Sequence, residues 1–141
     1  MTPDLNSAHF GLDYWCVLVA AMLPLLCAVI AKWGAFGQSP SQGGYDNHNP
    51  RAWLAKQTEW RARANAAQAN SFEVLPLFIG AVLIAHQLGV SQARLDLLAS
   101  VFVVLRLLYI LTYVADMHKS RSLLWAAGLL VNFGILFAGY R

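Results

Sequence analysis

Residues 14 to 31 read YWCVLVAAMLPLLCAVIA, a run of eighteen positions without a charge. As a helix rising about 1.5 Å per residue it is about 27 Å long, close to the hydrocarbon thickness of about 30 Å in a typical bilayer. Its length and lack of charge predict a transmembrane helix. Pro24 falls near its middle. Neighbouring helices re-satisfy the carbonyl that a proline frees, so a kink is expected here rather than a break. Before Tyr14 the only charges are Asp4 and Asp13, with His9. A secretory leader needs a basic start, so the helix is expected to be retained. Composition agrees: 12% of residues are charged and 58% hydrophobic, against a charged share of about one quarter in soluble domains.

Three more segments have helical length. The stretch RARANAAQANSFE is alanine-rich, which favours helix and permits close helix approach. It runs into the apolar residues 74 to 88, so one long helix is expected from Arg61 to Leu88. After the turn Gly89-Val90-Ser91, residues 97 to 114 form a third span whose only charge is Arg106. Beyond the polar connection 116 to 121, a fourth span covers 123 to 140, with Asn132 at its centre. The expectation is an all-α, integral membrane four-helix bundle, one domain over residues 1–141. Its helices are placed at about 14–33, 61–88, 94–115 and 121–140.

Residues 34 to 50, GAFGQSPSQGGYDNHNP, have the chemistry of a loop. Asn49-Pro50 looks like a cap and a first-turn proline. A surface helix should follow, amphipathic through Trp53, Leu54, Gln57 and Trp60.

Charge bias sets the expected topology. Lys32, Arg51, Lys56, Arg61 and Arg63 surround the first connection, and Lys119 and Arg121 lie in the third. The opposite side has Arg94 and the C-terminal Arg141. Positive charge remains inside, which puts the 34–50 loop in the cytoplasm and both termini on the non-cytoplasmic side. The chain should be multi-pass, in the inner membrane if the cell is bacterial. The ten Lys and Arg form no basic stripe, so nucleic acid is not an expected partner. Cys16 and Cys27 read as buried small hydrophobes. His48 and His118 lack metal-ligand spacing, and no metal site is expected.

Charge at membrane depth costs about 2.5 to 3.5 kcal/mol per residue near a helix centre, so Glu73 and Arg106 require a reason. Arg63, Asn70 and Glu73 share one face of the second span; Gln68 lies off that face. Arg106, Tyr109 and Tyr113 share one face of the third. Glu73 and Arg106 are therefore expected to meet, directly or through a neighbour. The two stripes lead toward Arg63 and Arg121 and form a candidate pocket for a polar, anionic ligand. His86 reads as interfacial, and Asn132 as a hydrogen-bond partner for a neighbouring helix.

Residues 66 to 78, AAQANSFEVLPLF, resemble the second-helix signature of the MAPEG family, the membrane-associated proteins of eicosanoid and glutathione metabolism. Ala67, Asn70, Glu73 and Pro76 match the pattern R-A-x-x-N-x-x-E-x-x-P. Arg106, Tyr109 and Tyr113 resemble the family's second signature, and Arg121 matches an arginine that opens the last helix. The resemblance covers roughly residues 51 to 140. The arginine before Ala67 is Ala66 here, and an often aromatic position is Val74.

The resemblance implies a microsomal glutathione S-transferase-like homotrimer in the lipid bilayer, with glutathione as co-substrate. Glutathione would be held by Arg63, Gln68, Asn70, Glu73, Arg106 and Tyr109, with Arg121 and Tyr113 as catalytic residues. It implies transferase or peroxidase activity on lipophilic small molecules. The competing class is a non-catalytic lipid-binding or scaffold protein of the same fold, which Ala66 and Val74 favour. A small proton-coupled exporter would carry its acid in the first helix, and residues 14 to 31 contain none.

Overall fold

The computed structural model describes residues 10–140; Asp4, His9 and Arg141, used in the charge argument, lie outside them. The helices are α1 (Leu12–Lys32), α2 (Pro50–Ala55), α3 (Glu59–Gln87), α4 (Gln92–Val114) and α5 (His118–Leu136), with a 3-10 turn at Pro40–Gln42 between α1 and α2. Both α1 and α5 pack on α3 and α4, which also pack on each other. The α3–α4 hairpin is therefore the spine of an all-helical bundle.

Helix α1 runs unbroken through Pro24, which is buried against its neighbours. Alanines explain how closely the helices approach. Ala20, Ala31, Ala64, Ala67, Ala81, Ala85 and Ala99 are all buried, at positions where a larger side chain would hold the helices apart. One half of the interior centres on Phe78 and Phe102, stacked at 4.1 Å, with Val82, Leu95 and Ile135 around them. The other half contains Leu23, Cys27, Ala67, Tyr109 and Ile110. Cys16 and Cys27 are free and buried. Leu18, Met22, Leu25, Val29, Val104 and Leu111 are exposed outside, the arrangement that lipid contact favours.

Three helices, α1, α3 and α4, are long and apolar enough to cross a membrane. The last helix differs from its expected span. It starts at His118 and stops at Leu136, so its apolar part, Leu123 to Leu136, is about 21 Å long. The chain then folds back on the α3–α4 turn. A Cβ on Gly139 would lie 2.6 Å from Leu88 Cβ, and Arg94 Nη1 donates to the Ala138 carbonyl at 3.3 Å. The surface helix is shorter than expected as well. It ends at Ala55, the Asn49 side chain makes no cap bond, and α3 begins at Glu59 with φ 51°. Gln57 thus lies in the connection between α2 and α3, and Trp60 belongs to α3.

Candidate functional site

The polar stripes of α3 and α4 meet through a relay. Arg106 is 3% exposed. Its Nη2 donates to Asn70 Oδ1 at 3.0 Å and to Ser71 Oγ at 3.2 Å. Asn70 Nδ2 in turn donates to Glu73 Oε2 at 3.1 Å. Glu73 and Arg106 therefore meet through a neighbour, and no direct bridge joins them among the described residues. Local geometry explains the relay. Asn70 and Glu73 are three apart on one helix face, so one amide reaches both charges. Ser71 also donates to the Ala67 carbonyl at 2.8 Å, which fixes its oxygen toward the guanidinium.

Aromatic rings carry the stripe onward. The Arg106 guanidinium lies 4.1 Å over the Tyr109 ring, and Tyr109 meets Tyr113 edge-on at 5.5 Å. The Arg121 guanidinium lies 4.3 Å over the Tyr113 ring. Cation–ring contacts of this kind are worth about 0.5 to 2 kcal/mol, more where water is excluded. Asn70, Tyr109, Tyr113, Arg121, Ser122 and Trp125 line a cavity of about 210 Å³ between α3, α4 and α5. Arg121 has no carboxylate partner among the described residues, so the cavity presents an uncommitted cation.

Four expected site residues do not line the cavity: Arg63, Gln68, Glu73 and the buried Arg106. Arg63 Nε donates to the Val114 carbonyl at 3.0 Å, and its Nη1 lies 3.7 Å from Asp116 Oδ2. It clamps the end of α4, where carbonyls lack helical partners. Gln68 makes no side-chain hydrogen bond among the described residues and does not line the cavity. Glu73 is exposed on the bundle surface, with Asn70 its one hydrogen-bond partner among the described residues.

A model of the MAPEG family matches residues 12–140. The chain belongs to the MAPEG family. No curated protein and no solved structure matches it. With three long apolar helices, this MAPEG chain is a multi-pass integral membrane protein of a family associated with glutathione and eicosanoid metabolism.

Sequence reasoning missed Ser71, Ser122 and Trp125 in this MAPEG site. The signal for Trp125 was present, since it lies one helical turn beyond Arg121. It also missed a second polar cluster at the other end of the bundle. Asp13 is 0% exposed; its carboxylate accepts from Gln92 Nε2 at 2.7 Å and pairs with His86 Nε2. Gln92 also bonds Asp96, which accepts the Asp13 backbone N–H at 3.0 Å. His86 stacks on Tyr14 at 4.8 Å. It is thus a junction residue joining α1, α3 and α4, not a free interfacial side chain. Asn132 also departs from expectation: it is buried and neither amide atom finds a partner among the described residues.

Proposed function

We propose that the α3–α4–α5 cavity binds glutathione and that the protein is a glutathione-dependent transferase or peroxidase acting on lipophilic molecules from the bilayer. The observation that carries this reading is the uncommitted guanidinium of Arg121, held over Tyr113 at the cavity wall. A cation beside a thiol favours the thiolate, which is the nucleophile. In a transfer step the thiol gives its proton to water. The sulfur then forms a bond to an electrophilic carbon, and the leaving group departs with its electron pair. Arg121 stabilises the sulfur anion and Tyr113 donates to it. Asn70 and Tyr109 hold the tripeptide's polar groups, Arg106 and Glu73 orient Asn70, and Arg63 and Gln68 serve at the margin.

The same reading includes a homotrimer. A cavity of about 210 Å³ lies below the range of about 300 to 1,000 Å³ usual for ligand pockets. Glu73 is an exposed carboxylate on a membrane helix, where a lipid face is costly. A neighbouring subunit would enlarge the first and cover the second. The clustering of positive charge supports a topology with the 34–50 loop and the Arg121 end in the cytoplasm and the termini outside.

Calorimetry of the detergent-purified protein with glutathione tests the binding, and turnover of a halonitrobenzene tests the chemistry. Ala66→Arg, which restores the family's cation, should tighten binding about tenfold or more. Should neither the native protein nor Ala66→Arg bind glutathione at millimolar concentration, the transferase reading fails. The second reading, a non-catalytic lipid-binding protein, would then stand; Ala66 and Val74 in the signature helix favour it.

A further inference from the structure

A larger cavity, of about 440 Å³, lies in the connection between α1 and α3. Aromatic packing builds it. The Tyr45 backbone N–H donates to the Ala35 carbonyl at 2.9 Å. The Tyr45 ring meets Trp53 at 5.3 Å and Phe36 at 5.5 Å, and Lys32 Nζ lies 4.5 Å over it. Trp53, only 8% exposed, anchors α2 against this group. The connection is therefore a packed structure of its own.

Asp46, Asn49, Trp53, Lys56 and Gln57 are among its lining residues. Its polar groups are only partly used. The His48 backbone N–H takes one Asp46 oxygen at 2.9 Å, leaving the other. Gln57 Nε2 donates to the Trp53 carbonyl at 3.0 Å, leaving its carbonyl oxygen. The Asn49 side chain caps nothing. Asp46 and Lys56 do not pair with each other, nor with another charge among the described residues. The lining thus offers an anion, amide acceptors and a cation.

Depth gives the second half of the argument. Helix α3 has 29 residues, about 43 Å at 1.5 Å each, against about 30 Å of hydrocarbon. Its polar Glu59 end therefore extends past the acyl region, and α1 ends beside it at Lys32. Arg61 Nη2 ties the two ends together by donating to the Trp33 carbonyl at 3.0 Å. The cavity belongs to this polar end of the bundle.

We propose that this cavity binds a phosphate ester carrying a primary ammonium, supplied as the ethanolamine phosphate headgroup of a bilayer lipid. The ammonium donates to Asp46, Asn49 and Gln57, and the phosphate faces Lys56. A choline headgroup has no N–H to give these acceptors. A glycerol headgroup leaves Asp46 without a cation.

The test is calorimetric titration of the full-length protein, stripped of lipid in detergent, with short-chain phosphatidylethanolamine, phosphatidylcholine and phosphatidylglycerol. The ethanolamine lipid should bind about tenfold or more tightly than the other two, one charge-assisted contact's worth. Asp46→Asn should reduce that preference to about twofold, and Lys56→Gln should weaken the ethanolamine and choline lipids alike. Both variants should keep the native thermal unfolding, since both side chains are outside the bundle core. Equal affinity for all three headgroups, or a preference that survives Asp46→Asn, overturns the proposal. Free phosphoethanolamine binding as well as the lipid would overturn the lipid source. Its failure to bind supports the lipid.

Discussion

Replacing Asn70 by alanine removes the middle of the relay, and its cost can be worked from the geometry. Arg106 is buried, and its side-chain acceptors among the described residues are Asn70 Oδ1 at 3.0 Å and Ser71 Oγ at 3.2 Å. A hydrogen bond to a charged group contributes about 1.5 to 3 kcal/mol, and water cannot easily replace a lost acceptor at this depth. The Asn70–Glu73 bond is exposed and adds less than about 1 kcal/mol. Asn70→Ala should therefore destabilise the protein by about 2 to 4 kcal/mol. Ser71→Ala should cost about 1.5 to 3 kcal/mol. The double variant should lose more than the sum, because both acceptors serve one guanidinium and such neighbours couple by about 0.5 to 3 kcal/mol. Reversible unfolding in mixed micelles, followed by far-ultraviolet circular dichroism, measures all three. If Asn70→Ala unfolds within about 0.5 kcal/mol of native, Arg106 does not depend on the relay and the reasoning is refuted.

Asn132→Leu should be neutral or stabilising by up to about 3 kcal/mol in the same assay, because it removes a buried amide without partners; a clear loss would show that something satisfies that amide. Gly44→Ala would place a Cβ 2.0 Å from the Gln38 carbonyl oxygen. The loop between residues 34 and 49 should open and become sensitive to limited proteolysis, while the helices keep their circular dichroism. Arg121→Gln should lower kcat for conjugation about tenfold or more while changing glutathione affinity less, since its effect is on the sulfur anion; equal losses in both would assign it to binding alone.

Much of the bundle was legible because the bilayer restricts what a chain can do. An uncharged run of eighteen residues has few alternatives, and the 3.6-residue period set Asn70 with Glu73 and Arg106 with Tyr109 and Tyr113. Periodicity fixes faces within a helix but not which neighbour a face meets. That is why Arg63, on the right face of α3, could be expected in the cavity while it clamps Val114 at the end of α4. It is also why the sequence pattern suggests a partner for Asn132 that is not found among the described residues. Asp13 and His86 are separated by 73 positions, and each at a span end reads as an ordinary interfacial residue. Only the antiparallel pairing of α1 with α3 brings them together. The loop cavity was illegible for a similar reason: its glycines and prolines announce a turn, while its shape depends on Tyr45 reaching Phe36 and Trp53.

The Asp13 junction bears on the order in which this protein is built. Helix α1 leaves the ribosome long before His86 and Gln92 exist, and on its own it holds Asp13 at the water boundary. The carboxylate is withdrawn from water only when the α3–α4 turn arrives carrying its two partners. Docking of the hairpin turn is thus the step that buries the Asp13 end of α1, while Arg61 ties its other end to α3 through the Trp33 carbonyl. A chain ending before Gln92 keeps His86 but loses the Gln92 and Asp96 contacts, and should hold the Asp13 end of α1 less firmly.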